Sequence, residues 1–314
     1  MTDLKWSRFN FLVETEKHRK YLYNSYSNSL IALDDSLYAS LLFLSRDNGT
    51  SILSAFSEEE IEYLKKIYVL VEDDDALVDI LHHQSMSRLY SKKTMVLTIA
   101  PTQSCNLACT YCFEKWRRPG TLSNRTEDAI INYIKHLKQE DGLESVNLTW
   151  YGGEPLLQYK RIGQPMVGGK GSSRNAVTDI FLDLFTKYGV VTEELYPDDV
   201  NMECMTRSPY SMLIGSQGEI YKCYEDLGNK ELTVGNINDP EVWHNYELIA
   251  KYAVGIDHYN DPECRKCSYL PICRGGCPIR RFENVYKGKH NDCCTPFKGR
   301  IKDYIELYSK ILND

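Results

Sequence analysis

Cys105-Asn106-Leu107-Ala108-Cys109-Thr110-Tyr111-Cys112 is the stretch whose reading decides the fold. Its thiols follow the spacing C-x3-C-x2-C. A cubane 4Fe–4S cluster normally takes four cysteines. A run of three implies one iron open to a small molecule. The competing reading is a structural zinc knuckle, which usually wants four ligands in paired spacings. A second signature follows at Trp150-Tyr151-Gly152-Gly153-Glu154-Pro155. Ser145–Trp150 alternates as a strand would, so this motif is expected at a strand end. Its glycines let backbone approach a ligand closely, and Glu154 offers an acceptor for an ammonium group.

Together the two motifs resemble those of the radical S-adenosylmethionine (SAM) enzymes. That family's cluster run is C-x3-C-x-aromatic-C, and Tyr111 fills the aromatic slot. The resemblance implies that Cys105, Cys109 and Cys112 are the catalytic cluster ligands. It also implies that Tyr111 and Phe113 flank the adenine of SAM, with core packing the alternative for Phe113. Gly152, Gly153 and Glu154 would hold the methionine end.

Eight further cysteines lie beyond residue 200. Cys204, Gly218 and Cys223 come first, then Cys264, Cys267, Cys273 and Cys277 in C-x2-C-x5-C-x3-C spacing, and last the pair Cys293-Cys294. This array resembles the SPASM domain, a C-terminal extension of many peptide-modifying radical SAM enzymes. The resemblance implies two auxiliary clusters. Cluster I would take Cys204, Cys223 and Cys277, with its fourth position open or filled by another residue type. Cluster II would take Cys264, Cys267, Cys273 and one of the terminal pair, with Cys294 favoured by its spacing to Lys298. A pair of zinc sites is the alternative. Ser211–Ile214 and Glu219–Cys223 read as a hairpin turning over Ser216-Gln217-Gly218, which would bring Cys223 beside Cys204.

The 314 residues suffice for two or three domains. A hydrophobic content of 42% and a charged content of 26% are ordinary for a soluble globular chain. The net charge of −7 argues against broad nucleic-acid binding. No apolar run is long enough to span a membrane, and no signal peptide opens the chain. Eleven cysteines in that setting point to metal ligands in a reducing cytoplasm rather than to disulfides.

Residues 1–92 read as strands over Phe9–Glu14, Lys20–Asn24 and Ser29–Leu33, then helices. Asp34 or Asp35 caps one over Leu37–Leu44, Ser57 opens a second, and Asp73–Asp75 cap a third over Ala76–His83. Ile67–Val71 reads as a further strand. This order resembles the winged-helix domain that grips leader peptides by adding them to a sheet edge; a packing domain without ligand is the alternative. His82 and His83 read as surface residues, because adjacent helical positions face different ways.

In residues 93–200, Thr94–Ala100 reads as a buried strand delivering the cysteine run. Ser123 or Asn124 caps a helix toward Lys138, with Ile130, Ile131, Ile134 and Leu137 on one side. Beyond the Gly-Gly-Glu-Pro motif come a glycine-rich stretch, 163–173, and one helix, Asn175–Tyr188. Radical SAM cores usually continue with four more β/α units, so the core reads as incomplete. The fold class expected is therefore α/β: a truncated partial (β/α) barrel core, an N-terminal winged-helix-like domain, and a cysteine-rich SPASM domain over 201–314.

The resemblance implies a peptide maturase. Reductive SAM cleavage would give a 5′-deoxyadenosyl radical that abstracts hydrogen from a ribosomally made precursor peptide, forming a thioether or carbon–carbon crosslink. Its cofactors would be three 4Fe–4S clusters and SAM. Its partners would be a precursor peptide with a leader and an electron donor such as flavodoxin or ferredoxin. Two alternatives stand: formylglycine formation, as in sulfatase-maturing relatives, and a degenerate peptide-binding iron–sulfur protein. Relatives that make formylglycine carry an aspartate where this chain has Tyr224. Tyr224 reads as a candidate pocket residue, and Glu225 and Asp226 as surface charge.

Overall fold

The computed structural model describes residues 4–47, 56–112, 114–116, 118, 120–158 and 204–311. Phe113, the glycine-rich stretch 163–173 and the helix expected over Asn175–Tyr188 lie outside the described residues.

Lys5–Trp6 (β1) pairs antiparallel with Leu70–Val71, which becomes β5 in chain order. The sequence reading missed β1, since two residues are too short to show a period. Between them, Asn10–Glu14 (β2), Lys20–Asn24 (β3) and Ser29–Leu33 (β4) form an antiparallel meander with β4 at one edge. Its second turn holds Asn28 at φ 56°, a left-handed conformation that asparagine tolerates better than most residues.

Three helices follow. In Asp35–Asp47 (α1), the Asp34 carboxylate accepts the Leu37 N–H at 2.8 Å. Glu58–Lys66 (α2) starts with a complete capping box between Ser57 and Glu60. Asp74–Leu89 (α3) is capped by Asp73 and runs six residues past the expected end at His83. One face of the meander packs on α1 and α2 through Leu22, Leu41, Leu44 and Leu64. The other face uses Val13, Tyr21 and Tyr23 against Ile301 and Ile305 of the last helix, Ile301–Ile311.

Thr94–Ile99 (β6), Asn124–Glu140 (α4) and Ser145–Trp150 (β7) form a β-α-β unit with parallel strands. Ser123 is the cap of α4, its side chain accepting the Thr126 N–H. Met212–Ile214 (β8) then pairs parallel to β6 on the side away from β7, in register from Leu97↔Met212 to Ile99↔Ile214. Glu219–Tyr221 (β9) and Gly235–Asn236 (β10) continue antiparallel, so the sheet order is β10-β9-β8-β6-β7. The expected hairpin is thus also the strand neighbour of the cysteine-delivering strand. One hydrophobic cluster runs through both segments, from Met95, Leu97 and Ile130 to Met212, Ile220, Tyr252 and Phe282.

Short helices complete the cysteine-rich region: Tyr246–Ala250 (α5), Pro262–Arg265 (α6), Leu270–Cys273 (α7), Pro278–Lys287 (α8) and the last helix, α9. No helix among the described residues is long and apolar enough to cross a membrane.

Candidate iron–sulfur and SAM site

Both expected motifs sit at the carboxyl ends of adjacent parallel strands, the crevice where open α/β sheets bind ligands. The cysteine run follows β6. Its entry is fixed by Thr102, whose hydroxyl donates to Gly120 O at 2.7 Å and accepts the Ser104 N–H at 3.1 Å. Within the run, Cys112 N donates to Cys109 O at 3.2 Å, a turn that gathers these two residues. Leu107 N–H points at Cys105 Sγ, 3.4 Å away. Cys105 and Cys109 are half-buried and Cys112 is exposed. Tyr111 is 63% exposed, and its hydroxyl reaches the Cys109 sulfur, which raises the phenol's pKa.

The Gly-Gly-Glu-Pro motif follows β7 and lies flush on the start of that loop. A Cβ on Gly153 would fall 2.3 Å from Ser104 O, and one on Gly152, held at φ +98°, 2.4 Å from Thr102 O. Glu154 N donates to Ser104 O at 2.9 Å, and its carboxylate accepts the Leu156 N–H at 2.8 Å. No side chain but hydrogen fits at either glycine. The two loops therefore pack backbone against backbone at Ser104, the residue before Cys105.

Around Cys223 the surroundings are buried and acidic. Burial raises its thiol well above the usual range, with Asp226 and Cys204 adding to the effect. Cys204 therefore lies near Cys223, as the hairpin reading expected. Cys223 and Cys277 both pack against the central cluster.

Asp226 corrects the sequence reading. It is 1% exposed and accepts the Tyr252 hydroxyl at 2.8 Å. Burial pushes its carboxyl up to about 7. Glu225 is exposed, as expected. Lys222 is equally buried, and its ammonium donates to the Ser208 and Ser211 carbonyls. Burial pushes it down to about 7. Neither buried charge had a sequence signal, because a charged residue in a short strand and turn reads as solvated.

Tyr151 and Tyr224 meet edge to face with centroids 4.5 Å apart. Burial raises the Tyr151 phenol, and Glu114, Cys112 and Cys223 raise it further. This aromatic pair therefore stands between the first cysteine run and the Cys223 site.

Cys264, Cys267, Cys273, Cys293 and Cys294 line one cavity of about 320 Å³. Burial is the main force pushing the Cys264 thiol up to about 12 and the Cys273 thiol up to about 11. Iron removes that penalty, because it binds the thiolate and releases the proton. Cys273 feels Cys294 and Cys267, while the Cys293 carbonyl is turned to Cys277 N–H at 2.8 Å. The donor set suits a cluster: four thiols around one cavity with a fifth at its wall. Among the described residues, no three His, Cys, Asp or Glu side chains are close enough to share a single ion. In a cubane each thiolate holds its own iron, so its ligands stand farther apart.

Residues 99–164 match the radical SAM superfamily, and residues 204–268 match SPASM, described as an iron–sulfur cluster-binding domain. The chain thus carries a radical SAM segment followed by a SPASM segment. Its cofactors are 4Fe–4S clusters and SAM.

Two curated relatives are similar over short stretches. An S-adenosylmethionine-dependent nucleotide dehydratase of Fibrobacter sp. is 37% identical over 75 residues, 23% of this chain and 22% of the relative. A 7-carboxy-7-deazaguanine synthase of Clostridium acetobutylicum is 46% identical over 56 residues, 17% of this chain and 23% of the relative. The chain thus spans less than a quarter of either relative's length. Among solved structures, Streptococcus suis SuiB bound to precursor peptide SuiA aligns at 15% identity and a TM-score of 0.36, covering 87% of this chain and 95% of that one. SuiB bound to S-adenosylmethionine aligns at 15% identity and a TM-score of 0.33 with the same coverage.

His82, read as a surface residue, is half-buried. Its side chain is 30% exposed, and Nε2 lies 3.1 Å from Asp257 Oδ2. Its ring stacks on Tyr259 with centroids 4.6 Å apart. His83 is exposed, as expected.

Proposed function

We propose that the chain is a radical SAM peptide maturase that installs a thioether or carbon–carbon crosslink in a ribosomally made precursor peptide. The observation that carries this reading is the flush seating of Gly152, Gly153 and Glu154 on the loop that opens the Cys105–Cys112 run. When bound, the cluster and SAM supply a one-electron reductive cleavage that yields a hydrogen-abstracting 5′-deoxyadenosyl radical. In this reading Cys105, Cys109 and Cys112 hold the SAM-binding cluster. Gly152, Gly153 and Glu154 orient the methionine end, and Tyr111 and Phe113 flank the adenine. Cys204, Cys223 and Cys277 hold auxiliary cluster I, and Cys264, Cys267, Cys273 and Cys294 hold auxiliary cluster II.

A peptide substrate is supported by the N-terminal region, read as a winged-helix-like leader-binding domain over 1–92. The edge strand β4 borders a groove of about 460 Å³ between α1 and α2, lined by Ile31, Leu33, Leu37, Phe56 and Tyr63, with Glu59 and Glu60 among its lining residues. An edge strand offers unpaired backbone groups to an extended peptide. Apolar leader residues would fill the groove and basic ones would meet its acids. The remaining division is a truncated barrel core over 93–200 and SPASM over 201–314. A flavodoxin- or ferredoxin-like donor in the cytoplasm would supply the electron.

Formylglycine formation fits less well, since Tyr224 replaces the aspartate of those relatives and its hydroxyl is engaged with Thr98 Oγ1 at 3.2 Å. The test is anaerobic purification with an iron and sulfide count, then SAM and dithionite. About twelve irons, four per cubane, with deoxyadenosine formed, is the expected result. Clusters without deoxyadenosine would favour the degenerate peptide-binding reading, and zinc without iron would sink both.

A further inference from the structure

The two auxiliary sites differ in the charge that reaches their sulfurs. In the Cys264/Cys267/Cys273/Cys294 cavity, Arg281 Nη2 donates to Cys264 Sγ at 3.1 Å and Lys298 Nζ to Cys294 Sγ at 3.3 Å. The Thr295 N–H donates to Cys273 Sγ at 3.3 Å. Lys298 also acts on Cys267 and Cys264. Asp261 opposes part of this: its carboxylate lies 3.6 Å from Cys264 Sγ and pairs with Arg281 at 2.8 Å. No such carboxylate pairs with Lys298 among the described residues.

At Cys223 the balance runs the other way. Outside the ligand set, the carboxylates of Asp226 and Glu225 act on its sulfur, opposed by the Glu225 N–H. The Lys222 ammonium donates to the Ser208 and Ser211 carbonyls rather than to a cluster sulfur, and its charge, which reaches Cys204, offsets only part of those carboxylates.

Reducing a cluster adds one negative charge. Cations and N–H donors at its sulfurs stabilise that charge and raise the potential, while carboxylates lower it. We propose that Lys298 and Arg281 are positioning residues that set the potential of the cluster on Cys264, Cys267, Cys273 and Cys294 above that of the cluster on Cys204, Cys223 and Cys277. Such an ordering would let one electron on cluster I reduce cluster II, with cluster I oxidised in turn. An external one-electron acceptor, a redox protein or a mediator dye, takes it onward. Lys298 carries the larger share, because Asp261 offsets Arg281. This rests on the ligand assignment proposed above.

The test is an EPR-monitored redox titration, with mediator dyes, of the full chain carrying all its clusters. K298Q, R281Q and the conservative K298R are compared after an iron count. Wild type is expected to reduce cluster II before cluster I. K298Q should lower the reduced-to-oxidised ratio of cluster II about tenfold at fixed potential, about 59 mV for one electron. Cluster I should stay unmoved, and K298R should restore the shift. R281Q should move it in the same direction by less, and if it loses iron, K298Q alone decides. Full iron with unmoved potentials in K298Q, or cluster I reducing first in wild type, overturns the proposal. A wild-type iron count that leaves a site empty overturns the ligand assignment instead.

Discussion

At the scale of single residues, Gly153 is the most constrained position of the proposed SAM cradle. A methyl group there would sit 2.3 Å from Ser104 O and 2.6 Å from Gln103 O. Both are backbone atoms, so the loop itself must shift. Overpacking of this kind costs about 1–3 kcal/mol, and about 1.4 kcal/mol is a factor of ten in rate. Gly153→Ala should keep its iron and lose deoxyadenosine formation by about tenfold or more; unchanged turnover would remove the cradle role.

His258 makes a different residue-scale prediction. It is 1% exposed, and burial, with Arg207, Arg281, Arg274 and His82 around it, holds its pKa well below the usual histidine range. The unfolded chain takes up a proton near pH 6.5, and the folded chain does not. His258 therefore costs no stability above that pH and destabilises the fold progressively below it. Urea midpoints at pH 7.5 and 5.5 should fall further for wild type than for His258→Gln. Equal falls would assign the acid sensitivity elsewhere.

At the scale of elements, the groove beside β4 depends on how α1 and α2 are started. Asp34 and the Ser57–Glu60 box fix both helices at their first turns, so their apolar sides, with Leu41, Leu44 and Leu64, close over Leu22. Tyr63 stands at the groove half exposed, at 52%. Aromatic residues of this type often dominate peptide binding, at about 2 kcal/mol or more each. Tyr63→Ala should leave the fold intact, as judged by circular dichroism, and weaken leader-peptide binding at least tenfold by fluorescence anisotropy. Unaltered affinity would favour the reading of this region as a packing domain.

At the scale of the whole molecule, the three segments are joined by buried polar and apolar contacts. Arg207 Nη2 and Asp257 Oδ1 lie 2.9 Å apart with side chains only 3% and 5% exposed, and Asp257 also holds His82 of α3. Phe9, Val71 and Leu77 pack with Tyr259 and Leu270. Removing one partner of a buried pair costs about 3–5 kcal/mol. Asp257→Asn should lower the urea midpoint by a matching amount and loosen α3, seen as faster hydrogen exchange there. A change below about 1 kcal/mol, the scale of an exposed pair, would show that Asp257 does not hold α3 to the cysteine-rich segment.

The chemistry of this protein was written locally. Three cysteines within eight residues, two glycines before an acid, and a spaced cysteine array need only short-range geometry, so their spacing announced iron–sulfur and SAM chemistry. Strands β3, β4 and β7 and the caps at Ser57, Asp73 and Ser123 were equally readable, because alternation and capping act within a few residues. Tertiary structure alone decided that β8 joins β6, since a three-residue strand chooses its neighbour by packing at long range. It also decided that Asp226 and Lys222 are inside and that His82 is half-buried. A charge is buried only where other segments supply its partners, and here those partners, Tyr252, Ser208 and Asp257, come from distant parts of the chain.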